Sequence, residues 1–164
     1  MYLLLLTLGQ CTLYVLLAYV FSVFFNDRRP SLKGISPSSL GMITLISIFS
    51  YIVSFMVPDR EWGNRVIHAL GGGVTTFVVC FRVVKDFKIP LTRFQFFIFC
   101  ALTVTAIRVG NEILEYFLQN YFNIMFAGNV NDTWLDLMSN TVGILLAGAA
   151  LTPCIPSRHY IKNV

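Results

Sequence analysis

The chain has 164 residues, 56% of them hydrophobic and only 12% charged, with a net charge of +4. A soluble domain carries roughly 25% charged residues, so so few charges exclude a water-facing globule and leave lipid as the main solvent. The basic excess sits in short clusters between apolar runs, the pattern of membrane topology signals, and no separate basic domain exists to serve nucleic acid.

The first apolar run covers residues 1–25. It lacks a basic leading region and is too long for a signal-peptide core. It is followed by Asn26-Asp27-Arg28-Arg29-Pro30 rather than by small residues, so it reads as a retained helix. A linker with Pro30, Gly34 and Pro37 leads to a second run at 39–57, which Pro58 ends. The polar turn Asp59 to Asn64 precedes a third run at 65–84, and a basic turn over 85–90 precedes a fourth at 91–119. The fifth runs over 132–151, ended by Pro153 and a short basic tail. Each run meets or approaches the roughly 20 residues that a membrane crossing needs, and the fourth is long enough to cross with tilt. Segment 120–131 is aromatic, uncharged and too short to cross, so an interfacial segment is expected there. The expected fold is all-α: a single membrane domain of five transmembrane helices.

Lys and Arg alternate between connections. Arg28, Arg29 and Lys33 lie in the first linker, Arg82, Lys85, Lys88 and Arg93 around the third connection, and Arg158 and Lys162 in the tail. The second connection balances Arg60 and Arg65 with Asp59 and Glu61, and the fourth has no basic residue. The positive-inside rule then predicts an outer N-terminus and a cytoplasmic C-terminus. The cysteines Cys11, Cys80, Cys100 and Cys154 form no CxxC pair and read as small apolar residues.

Ionisable groups inside spans are expensive and are therefore candidate functional residues. Helical spacing gathers them on single faces. Arg65, His68, Gly72 and Thr75 share a face of the third helix. Ala101, Thr105, Arg108, Glu112, Glu115 and Gln119 share one on the fourth, and Asp132, Asp136, Asn140, Gly143 and Ala147 one on the fifth. Small and polar stripes should pack against one another, away from lipid. His68, Glu112, Glu115, Asp132, Asp136 and Asn140 form the candidate polar site, and the predicted topology puts all of them near the outer face. Four carboxylates together would repel, so Arg65, Arg108, His68, a bound cation or protonation must offset them. The candidate ligands for a divalent cation are Glu112, Glu115, Asp136 and His68. Asp27, Asp59, Glu61 and Asp86 lie in connections and are expected to be solvated.

Local structural roles compete with a site. Arg108 and Glu112, four apart, could pair. Asp132 could cap the fifth helix. Ser139 and Asn140 could be interhelical glue, and Gly71-Gly72-Gly73 could serve close helix contact.

The segment Asn131-Asp132-Thr133-Trp134-Leu135-Asp136-Leu137-Met138-Ser139-Asn140-Thr141-Val142-Gly143 resembles the last helix of VanZ-like membrane proteins and of related bacterial inner-membrane proteins. Glu112 and Glu115 with Gln119, and His68 before Gly71-Gly72-Gly73, resemble that family's two other motifs. The resemblance spans about 60–150 and implies a multi-pass protein of the bacterial inner (plasma) membrane. The aromatic stretch Tyr121 to Phe126 departs from the family's more polar connection. Three functions are compatible with these residues. One is a binding or accessory protein of the cell envelope, contacting lipid and docking other membrane subunits through its helix faces. The second is an intramembrane, metal-assisted enzyme acting on a lipid-linked or envelope substrate. The third is a transporter or proton relay.

Overall fold

The computed structural model describes residues 2–26, 34–123 and 130–156. It contains α1 (Tyr2–Asn26), α2 (Pro37–Met56), α3 (Arg60–Asp86), α4 (Arg93–Phe122) and α5 (Val130–Leu151), then a 3-10 turn at Thr152–Cys154. There is no strand among the described residues. All five helices are long and apolar enough to cross a membrane, as the sequence predicts.

Local chemistry sets the helix starts. Pro37 opens α2 behind Ser36, whose hydroxyl accepts from Ser39 N–H. Thr92 and Gln95 form a capping box at the start of α4. At α3, Asp59 Oδ1 accepts from Trp62 N–H at 2.9 Å. Residues 60–64, expected in a turn, are therefore the first turn of the helix: the cap lies upstream of the apolar run. Residues 124–129 of the expected interfacial segment lie outside the described residues. Within the expected interfacial segment 120–131, residues 120–122 finish α4, Asn123 ends it with φ 55°, and residues 130–131 begin α5.

The third helix is the axis of the bundle. Two-thirds of its apolar window is buried (67%), against 17–28% for the other four. Phe77, Val79, Cys80 and Val83 of α3 meet Phe96, Cys100 and Val104 of α4, all fully buried. Phe24, Phe55 and Phe94 point outward and are 75–82% exposed, a surface that suits lipid and not water. All four cysteines are free, with Cys80 and Cys100 in the core and Cys154 exposed.

Two devices shape α3. Residues His68–Val74 form a π-helical segment. There the Thr75 N–H bonds Leu70 O, five residues back, instead of Gly71 O. The glycines of this segment also admit α5. A Cβ on Gly73 would lie 2.4 Å from Asn140 O, and one on Gly143 would lie 2.0 Å from Ala69 O. The helix backbones touch, and only glycine fits at both positions.

At the basic end, Asp86 is not solvated as expected. Its side chain is 11% exposed. Its carboxylate accepts from Tyr14 Oη at 2.7 Å and from Ser39 Oγ, and lies 3.3 Å from Arg82 Nη2. Arg82 Nε donates to Ser39 Oγ at 2.7 Å. An acid four residues after an arginine, at the rim of an apolar helix, is pulled onto α1 and α2 by their hydroxyls.

Candidate functional site

The polar residues of α3, α4 and α5 converge at the opposite end of the bundle. His68 Nε2 lies 3.3 Å from Asp136 Oδ2. Asn64 Nδ2 donates to Asp136 Oδ1 at 3.1 Å. Asn140, almost fully buried, lies with its Nδ2 3.5 Å from His68 Nδ1. Glu112 is 7% exposed, and one of its carboxylate oxygens lies within 4.8 Å of ligand atoms of both His68 and Asp136. Glu115 is half-buried one turn further along α4, and its Oε1 accepts from Asn111 Nδ2 at 2.6 Å. Asp132 is half-buried in the first turn of α5, two positions past the start and so not the capping residue itself.

The two arginines take other partners. Arg65 pairs with Glu61 at 3.7 Å and stacks over Trp62. Arg108 Nη2 donates to Thr76 Oγ1. No ion pair joins either arginine to Glu112, Glu115 or Asp136 among the described residues. The i,i+4 pairing of Arg108 with Glu112 is absent because the guanidinium reaches across to α3.

The π segment corrects the expected face of α3. Ideal α spacing from His68 through Gly72 leads to Thr75. Instead, Thr75 faces α2, with its hydroxyl on Leu70 O and 3.4 Å from Ser50 Oγ. The residue on the site side is Thr76, which contacts Gln10 and Arg108. The wider turn of a π-helix advances the face by one residue. On α4, Thr105 is exposed, so the stripe there begins at Arg108.

The first helix also contributes, which its sequence signals only faintly. Gln10 Nε2 lies 3.0 Å from both Gly71 O and Thr76 Oγ1. The carbonyl of Gly71, released by the π register, thus gains a donor from α1. A lone amide within an apolar run must find a partner across helices, and that was the available clue.

Beside this cluster lies a partly open cavity of about 550 Å³. Its polar wall includes Asn64, His68, Arg108, Glu115, Asp132 and Asp136, and its apolar wall includes Leu5, Leu6, Leu13 and Leu114. Toward the basic end, α1 and α4 meet through Phe21 and Phe25 on Phe99. Farther along, both helices line the cavity. The space is therefore a wedge between α1 and α4, backed by α3 and α5. Such a wedge can take a polar group against α3 and α5 with an apolar group along α1.

Residues 5–155 match the family model described as "Predicted membrane protein (DUF2238)", and the chain belongs to that family. No curated protein and no solved structure matches it.

Proposed function

We propose that this member of the DUF2238 family of predicted membrane proteins is a binding protein of the cell envelope, whose cavity receives the ammonium-bearing polar end of an amphiphile. The observation that carries this reading is the make-up of the cavity wall. Among the described residues, Glu115, Asp132 and Asp136 face it against one guanidinium, that of Arg108, while leucines of α1 and α4 form the other side. Three carboxylates against one cation, in surroundings less polarisable than water, favour a positively charged guest. The leucine wall suits an acyl chain. The volume falls within the roughly 300–1,000 Å³ of small-molecule sites.

A bacterial plasma-membrane location, an outer-facing site and the kinship of residues 60–150 with VanZ-like proteins belong to the same proposal. The alternating basic connections and the motifs around His68, Glu112 and Asp136 support them. A relay gains less support. Between Thr76 and the Asp86 cluster lie Phe77, Val79, Cys80 and Val83 of α3, all fully buried. One observation favours an enzyme as a second reading: His68, Glu112 and Asp136 bring acid–base groups together beside the cavity.

Native mass spectrometry tests the main reading. The full chain is released from vesicles holding equal phosphatidylethanolamine and phosphatidylglycerol. The wild type should retain the ethanolamine lipid preferentially, and the Glu115→Gln, Asp132→Asn double variant should lose that preference. Equal retention of both lipids by the wild type would overturn the proposal.

A further inference from the structure

We propose that His68, Glu112 and Asp136 form a binding site for one divalent transition-metal ion, manganese or zinc, with an open coordination position toward the cavity. The ion would sit on the inner wall of the proposed amphiphile site, and its role there rests on that reading; its binding does not.

The first observation is geometric. One ligand atom from each residue lies within 4.8 Å of the other two. Two atoms about 2.1 Å from one ion at the tetrahedral angle stand about 3.4 Å apart. His68 Nε2 and Asp136 Oδ2 are already 3.3 Å apart, so only the Glu112 side chain must close in.

The second is the condition of Glu112. It is more than nine-tenths buried, yet no hydrogen bond or ion pair reaches its carboxylate among the described residues. A largely buried carboxylate with no partner among the described residues is costly. Its neighbours in the cluster are a second carboxylate and an imidazole, and an ion between the three would supply what it lacks. Glu115 stays outside this set because it is not among the residues whose ligand atoms gather within 4.8 Å of one another.

The surrounding residues can hold the ligands in place. Asn64 occupies Asp136 Oδ1, which leaves Oδ2 toward His68. The Asn140 Oδ1 atom is buried and has no hydrogen-bond partner among the described residues, while its Nδ2 faces His68 Nδ1. With the amide turned over, Oδ1 accepts from Nδ1–H, and Nε2 keeps its lone pair for the ion.

One imidazole and two carboxylates carry a charge of −2, which a divalent ion neutralises. The imidazole suits zinc and the two carboxylates suit manganese, whereas magnesium keeps its waters and calcium takes six to eight oxygens. With the ion bound, Glu112, Glu115, Asp132 and Asp136 still outnumber the three positive charges of Arg108 and the ion, so the cavity keeps its preference for a cation.

The experiment uses the full chain in detergent with Cys154→Ser, which removes the exposed thiol. The protein is stripped with chelator, equilibrated with Mn²⁺, Zn²⁺ or Mg²⁺ alone, and its metal content measured. About one Mn²⁺ or Zn²⁺ per chain is expected, with no Mg²⁺. Glu112→Gln and His68→Ala should each weaken retention at least about 10-fold. Glu112→Gln removes a group with no hydrogen-bond or ion-pair partner among the described residues, so it should fold, and circular dichroism checks this. No bound ion, or equal retention by wild type and folded Glu112→Gln, means an adventitious ion only and overturns the site. Lipid retention on the same samples separates the two proposals. Ethanolamine-lipid preference without an ion sinks the ion site alone, and a bound ion without lipid preference sinks the amphiphile reading alone.

Discussion

The backbone contact between α3 and α5 can be tested at Gly143. In Gly143→Ala the new methyl would lie 2.0 Å from Ala69 O and 2.9 Å from Gly73 Cα. A carbon–oxygen contact needs about 3.3 Å, so α5 must retreat from α3 by roughly 1.3 Å at this point. Both obstacles are backbone atoms and cannot rotate aside. Overpacking of this kind costs about 1–3 kcal/mol, and the rigid neighbours argue for the upper part of that range. Alanine returns about 1 kcal/mol of helix propensity. The net loss should be about 1–2 kcal/mol, which for a domain of this size lowers the melting temperature by roughly 2–8 °C. The assay is thermal unfolding by circular dichroism in one fixed detergent, beside Gly41→Ala on α2. Nothing lies within 4 Å of a Cβ at Gly41, so that variant should match or slightly exceed the wild type. If Gly143→Ala melts together with Gly41→Ala, the two helices do not touch as described and the argument fails.

Three other outcomes are expected. Tyr14→Phe removes the phenol hydrogen bond to the Asp86 carboxylate and should cost about 1.5–3 kcal/mol; an unchanged melting temperature would show that this link is idle. Gln10→Leu breaks the bonds to Gly71 O and Thr76 Oγ1. At roughly 0.6 kcal/mol for each interhelical bond in a membrane, it should cost about 1 kcal/mol and increase the exchange of α3 amides near the π segment. For topology, a cysteine added before Tyr2, in a background with Cys154→Ser, should react with an impermeant maleimide on intact cells. Reaction only after lysis would put the N-terminus in the cytoplasm and the cavity at the inner face.

The five helices were legible because lipid imposes one simple rule: about 20 apolar residues in succession. The stripe Asp132, Asp136, Asn140, Gly143 of α5 was legible for a related reason, since an uninterrupted α-helix repeats its faces at fixed spacing. On α3 the same arithmetic named Thr75 where the structure uses Thr76. Three glycines permit a π turn, but no periodicity announces one. The Asp86 cluster was hidden differently. Tyr14 and Ser39 are unremarkable within apolar helices, and only their approach across 72 and 47 residues of sequence makes them partners. The arginines taught a similar lesson. Arg108 has Glu112 one turn away but reaches Thr76 on α3, and Arg65 pairs with Glu61 on its own helix rather than with a carboxylate of the cluster.

The π segment also sets a phase. An α-helix turns by about 100° per residue, so the surplus residue within His68–Val74 fixes how Asn64 and His68 are oriented relative to Arg82 and Asp86. Were the same residues wound as a regular α-helix throughout, the surplus residue would turn the two halves of α3 by about 100° relative to each other. Either His68 would swing away from Asp136, or Asp86 would swing away from Tyr14 and Ser39. One residue of slack at the centre of the bundle is what lets both ends of a single helix be satisfied at once.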